Sequence, residues 1–163
     1  MTERGSLRRM SVGTQEAARE NPTQHLSSGP SGPGRPPTVL IVDDEPVVMN
    51  VVKLILSSRG FNLLTACTAL EAIDISRRFN GHIDLVLTDL KMPGMNGIQL
   101  LEVIAQERPD TKALLMTGES SSARNPGDLK FDIIYKPFVP QALLEHVASA
   151  LKVAPMRRHA GLY

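Results

Sequence analysis

The chain has 163 residues, room for one ordinary domain with a tail but short for two. Its 18 Lys and Arg balance 17 Asp and Glu, so net charge gives no signal for nucleic acid or an anionic membrane. A lone cysteine (Cys67) excludes an intramolecular disulfide and zinc-type Cys/His spacing, and no apolar run or leader points to a membrane or export, leaving a cytoplasmic protein as the expectation.

Residues 1–37 hold Pro22, Pro30, Pro33, Pro36 and Pro37 among glycines and serines, with few large apolar residues. Such a segment buries too little surface to offset its ordering entropy and is expected to be a disordered tail. Arg4, Arg8 and Arg9 make it mildly basic. No aromatic lies among them as a base-stacking platform would require, which favours a solvated tail over a nucleic-acid-binding or docking arm.

From Thr38 the texture changes. TVLIVD (38–43) reads as a β-branched strand, and Val48, Val51, Val52 and Ile55 then recur on one helical face. Pro46 suits the first turn of that helix and Gly60 its C-terminal end. FNLLTA (61–66) reads as a second strand. Thr68 and Glu71 form a capping box for a helix reaching about Asn80. IDLVLT (83–88) is a third strand, nearly continuous in apolar character, as a strand covered on both faces should be.

A loop with Pro93, Gly94 and Gly97 leads to a helix with Ile98, Leu101, Ile104 and Ala105 inward, stopping before Pro109. KALLM (112–116) and FDIIY (131–135) read as the fourth and fifth strands. Between them, 118–130 is rich in Ser, Gly and Pro, so a fourth helix there is short or irregular. Pro140 opens a last helix with Leu143, Leu144, Val147 and Leu151 inward. The alternation predicts an α/β fold: a doubly wound, five-stranded parallel sheet of order 2-1-3-4-5, flavodoxin-like, with helices on both faces. The domain spans 38–153, followed by a short basic tail (154–163) carrying Arg157 and Arg158.

Polar residues cluster where strands end: Asp43 and Asp44 after the first, Asp89 after the third, Thr117 after the fourth and Lys136 after the fifth. Open α/β sheets bind ligands in the crevice beyond those ends, where strand order reverses. Carboxylates gathered there repel by about 3 to 4 kcal/mol per pair at an effective dielectric near 20. A hard divalent cation relieves that, and Mg²⁺ both suits oxygen ligands and accepts phosphate oxygens. A carboxylate so placed can attack phosphorus to give an acyl phosphate. Singly, each residue is as well explained as a turn former, cap or surface charge; together, at four strand ends, they are not.

VLIVDDEP, DLVLTDLKMPGMNG, LLMTG and YKPF, in this order and spacing, resemble the receiver domain of response regulators over about Thr38 to Lys152. The run headed by Asp89 is the specific part; Lys-Pro alone is weak. The resemblance implies that Asp89 accepts a phosphoryl group from a phosphohistidine on a sensor kinase or phosphotransfer protein. It makes Asp44 a direct Mg²⁺ ligand and Asp43 the second acid, with Asp89 and the Lys91 carbonyl completing the metal site. Thr117 is implied as the switch hydroxyl, Lys136 as the phosphoryl-contacting lysine, and the Lys136–Pro137 bond as cis. Such a domain catalyses its own phosphorylation and dephosphorylation without being a conventional enzyme, and switches binding to a downstream protein.

The 19 residues from Thr117 to Lys136 are fewer than usual, and Ile133 replaces the usual aromatic, with Tyr135 two positions on. Both changes fall on the usual output surface. They keep alive a phosphorylation-independent interaction module and leave pairing of two copies open. The resemblance also puts Lys91 and Glu119 at the positions that flank the phosphoryl site, where an exposed ion pair between them would be worth little. No output or DNA-binding domain is recognisable after Lys152, so a stand-alone receiver signalling through a protein partner is expected. A flavin site would want glycines where Asp43, Asp44 and Glu45 stand, and an aspartyl phosphatase a second acid where Lys91 stands.

Overall fold

The computed structural model describes residues 34–118 and 131–152. Five strands, β1 (Thr38–Val42), β2 (Asn62–Ala66), β3 (Leu85–Asp89), β4 (Lys112–Thr117) and β5 (Asp132–Tyr135), form one parallel sheet in the order β2-β1-β3-β4-β5. The helices are α1 (Pro46–Ser57), α2 (Ala69–Arg78), α3 (Gly97–Glu107) and α4 (Pro140–Leu151). The expected strand order and layering are therefore found. The segment 119–130, where a short or irregular helix was expected, lies outside the described residues, as do 1–33 and 153–163.

Side chains alternate across the sheet and divide the core in two. Val39, Ile41, Leu85, Leu87, Leu114, Met116 and Ile134 face α1 and α4; Leu40, Val42, Val86 and Leu115 face α2 and α3. Every residue of β1 and β3 is buried, which is why those strands read as unbroken apolar runs.

Two helix faces differ from the periodic reading. α1 buries Met49, Val52, Ile55 and Leu56, while Val51 is exposed. Almost every position of this helix is apolar, so periodicity could not choose the face. α3 buries Gly97, Leu100, Leu101 and Ile104; Ala105 is exposed, and Gly97 is the first helical residue instead of part of the loop. In α4, Ala148 joins Leu143, Leu144 and Val147 in the core, with Leu151 only half-buried.

The helix ends follow local chemistry. Thr68 accepts the Glu71 N–H as the capping box predicts, but the Glu71 carboxylate takes the amide of Cys67, one residue before the cap. Asn96 and Gln99 make a full reciprocal box at the start of α3. α1 ends at Ser57, and Gly60, three residues on, takes the left-handed φ of +77° that turns the chain into β2. Residues ahead of Thr38 are also held. Arg35 bonds Asp84 at 2.8 Å and the Thr38 hydroxyl at 3.1 Å, and the Pro37 carbonyl accepts the Asn62 amide.

Candidate functional site

The crevice beyond the strand C-termini gathers three of the candidate side chains around one ammonium. Lys136 Nζ donates to Asp89 Oδ1 at 2.6 Å and to Asp43 Oδ2 at 2.9 Å, with Glu45 Oε1 at 3.9 Å. Asp43 is 1% exposed and Asp89 6%. Strand parity explains the convergence. Asp43, Asp89 and Lys136 each lie two residues beyond Ile41, Leu87 and Ile134, which all face the α1/α4 side. That parity is present in the sequence and identifies which acid of the Asp43-Asp44 pair turns inward. Asp44, of opposite parity, is exposed.

Backbone amides complete the arrangement. Asp89 Oδ2 accepts the Lys91 N–H at 2.7 Å, and Asp43 Oδ1 accepts the Glu45 N–H at 2.9 Å. Both oxygens of each buried carboxylate are thus engaged, as burial of an anion requires. Thr117 ends β4, 2% exposed, and its carbonyl accepts the Lys136 N–H at 2.7 Å, tying the lysine's backbone to the end of that strand. The Lys91 side chain is exposed on the loop after Asp89. The Lys136–Pro137 bond is cis, as the resemblance implied. Glu119, the expected partner of Lys91, lies outside the described residues.

Burial pulls the Lys136 pKa down, but its hydrogen bonds to Asp89 and Asp43 and the charge of both carboxylates outweigh it, so the net shift is upward. The lysine stays an ammonium. Three carboxylates against one ammonium still leave the cluster negative, a field suited to a cation. Among the described residues no three Asp, Glu, His or Cys side chains close into a cage around an ion. An open set of hard oxygens is chemically compatible with an ion that keeps several waters and takes only one or two carboxylates, as Mg²⁺ does.

With the geometry in hand, the chain can be set against known proteins. The family described as response regulator receiver domain matches residues 39–148. The sensor kinase CckA of Brucella abortus is 36% identical over 118 residues, which are 71% of this chain and 12% of that protein. The probable transcriptional regulatory protein TcrX of Mycobacterium tuberculosis is 32% identical over 122 residues, 73% of this chain and 51% of that protein. The chain thus spans about half, or far less, of these curated relatives. A crystal structure of a CheY-like response regulator receiver domain protein from Methanospirillum hungatei is 31% identical with a TM-score of 0.65, covering 72% of this chain and 95% of that one. No helix among the described residues is long and apolar enough to cross a membrane. Sheet order, strand-end chemistry and the match over 39–148 together place this chain in the response regulator receiver domain family of two-component systems.

Proposed function

We propose that Asp89 accepts a phosphoryl group from a phosphohistidine on a sensor kinase or phosphotransfer protein, and that the acyl phosphate changes the chain's affinity for a downstream protein. The observation that carries this reading is the single ammonium of Lys136 shared by the buried carboxylates of Asp89 and Asp43. In the reaction an oxygen of Asp89 forms a bond to phosphorus as the bond from phosphorus to the donor imidazole nitrogen breaks, and that nitrogen keeps the electron pair. Little covalent work falls to the protein in such a loose transfer; positioning and charge stabilisation do most of it.

Asp89 must release one of its hydrogen bonds to attack. Lys136, sharing its protons with Asp43, can follow the charge as it moves from carboxylate to phosphoryl oxygens while Asp43 keeps the ammonium in place. Asp43, Asp44, Asp89 and the Lys91 carbonyl would hold Mg²⁺, which when bound would supply the positive charge that lets an anionic phosphoryl group approach a carboxylate. Thr117, at the neighbouring strand end, is the hydroxyl placed to respond to the new phosphoryl group. The buried, paired geometry of Asp89 and Lys136 supports phosphorylation-dependent function over a purely structural interaction module.

The test is incubation with acetyl phosphate and Mg²⁺ followed by intact-mass spectrometry. A single phosphoryl adduct is expected in wild type and none in Asp89→Asn or when the cation is chelated. An unmodified wild-type protein, or an adduct that survives in Asp89→Asn, would overturn the reading.

A further inference from the structure

The carboxylate of Asp89 is held by Lys136 and the Lys91 amide, but the backbone beneath it is held by residues outside the crevice. The Thr88 hydroxyl, fully buried on the α2/α3 side of the sheet, donates to the Asp89 carbonyl at 3.1 Å. From the α3 side, Gly97 packs so closely on that carbonyl that a Cβ at position 97 would collide with its oxygen and crowd Leu115. The loop between closes on itself: the Gly97 N–H donates to the Leu90 carbonyl at 3.0 Å, and the Leu90 N–H to the Met116 carbonyl at 2.8 Å.

These contacts matter for the site because of the peptide plane they control. The direction of the Asp89 carbonyl fixes the plane of the 89–90 peptide. That plane carries the Leu90 amide, which donates to the Met116 carbonyl, and from there the chain brings the Lys91 amide to Asp89 Oδ2. A rotation at 89–90 therefore moves the amide that orients the carboxylate and, with it, the Lys91 carbonyl. A buried hydroxyl that donates to the carbonyl and a glycine backbone packed against it hold the carbonyl in place.

We infer that Thr88 and Gly97 are positioning residues for the phosphoryl-accepting carboxylate, together fixing its carbonyl from the α2/α3 side so that the Lys91 amide meets Oδ2. This rests on the phosphoryl-acceptor reading of Asp89. Neither residue touches the reacting atoms. Thr88→Val keeps the shape and removes the donor, Thr88→Ser restores the donor, and Gly97→Ala adds the colliding methyl.

The experiment measures the rate of phosphorylation by acetyl phosphate across a range of acetyl phosphate and Mg²⁺ concentrations, with backbone NMR of Asp89 and Lys91. Thr88→Val should react about 3 to 10 times more slowly, the rate equivalent of one lost hydrogen bond. Its Asp89 carbonyl ¹³C and Lys91 amide resonances should move. Thr88→Ser should return both to wild type. Ile104→Val, which trims the same core cluster, serves as a stability control and should keep the wild-type rate. Gly97→Ala should slow the reaction as Thr88→Val does, with a larger loss of stability.

A Thr88→Val protein reacting at the wild-type rate overturns the assignment, as does an equal slowing in Ile104→Val. Should wild type take no phosphoryl group at all, the resonances still decide. Shifts that follow the hydroxyl through Val and Ser uphold the grip while the phosphoryl reading falls, and unmoved shifts overturn the grip.

Discussion

Lys136 sits in a contest between desolvation and attraction. Its side chain is 15% exposed, and the carboxylates it touches are more deeply buried still. Removing the lysine would leave two buried acids without their shared cation, the situation in which losing one partner of a buried ion pair costs about 3 to 5 kcal/mol. Lys136→Met is therefore expected to lower the unfolding free energy by roughly 3 kcal/mol at pH 8, read from urea melts. The sign of the pH dependence follows from the raised folded-state pKa. The ammonium's contribution is fully present below the unfolded value of 10.5 and is lost as pH rises through the higher folded value. The gap between wild type and Lys136→Met should stay constant up to about pH 10 and close above it. A gap that widens with alkali would mean that the lysine is not held as a cation. Much of this pocket was legible in the sequence, since each residue type stands at a strand end. The adjacent pair Asp43-Asp44 was not resolved by type alone, because both are acids. Only counting alternate positions from Ile41 shows that Asp43 turns inward to the lysine.

Helices were less legible than strands. A strand buried on both faces announces itself as an apolar run, as in β1 and β3, and its register needs no choice of face. α1 is apolar nearly all round and offers periodicity no decision, which is why Met49 and Leu56 were overlooked. The contacts that end helices were also hidden, because they join distant parts of the chain. Arg108, just after α3, donates to the carbonyls of Ser76, Phe79 and Gly81 at the end of α2, at 2.5 to 3.1 Å. No local pattern marks an arginine for that role. It satisfies carbonyls that the helix itself leaves without partners. Arg108→Ala should cost about 2 kcal/mol, in line with hydrogen bonds to a charged donor. Faster hydrogen exchange should be confined to the end of α2 and the turn that follows. Beside this clamp lies a defect. Among the described residues the buried Ser76 hydroxyl has no hydrogen-bond partner. A buried donor left unmade costs free energy, and alanine is the better helix former. Ser76→Ala is therefore expected to raise stability by about 1 kcal/mol, measured by the same melts. A loss would mean that a bridging water is worth more than the helix gains.

At the scale of the whole molecule, the crevice is bordered by an apolar surface that the described residues leave exposed. Val47, Val51 and Leu54 lie along the outer side of α1, and Val139 stands just before α4; all four are exposed, Val47 and Leu54 by 75% and 72%. Between the helices runs a groove of about 640 Å³ lined by Leu54, Ile55, Ser58, Arg59, Val139 and Leu144. This surface begins beside the pocket: Val47 follows Glu45, which approaches Lys136, and Val139 is three residues beyond Lys136. A contiguous exposed apolar patch signals a partner. On the proposed phosphoryl-acceptor reading of Asp89, the partner expected at the mouth of the crevice is the protein carrying the phosphohistidine. A small donor such as acetyl phosphate needs no such surface. Val51→Glu/Leu54→Glu should therefore reduce transfer from a phosphohistidine-bearing protein by about tenfold or more, since desolvating a misplaced charge costs at least 1.4 kcal/mol. Phosphorylation by acetyl phosphate should be unchanged, and so should stability within about 0.5 kcal/mol, because both side chains already face water. Equal slowing with both donors would place the effect in the pocket itself. Unchanged transfer from the protein donor would move its docking face elsewhere on the domain.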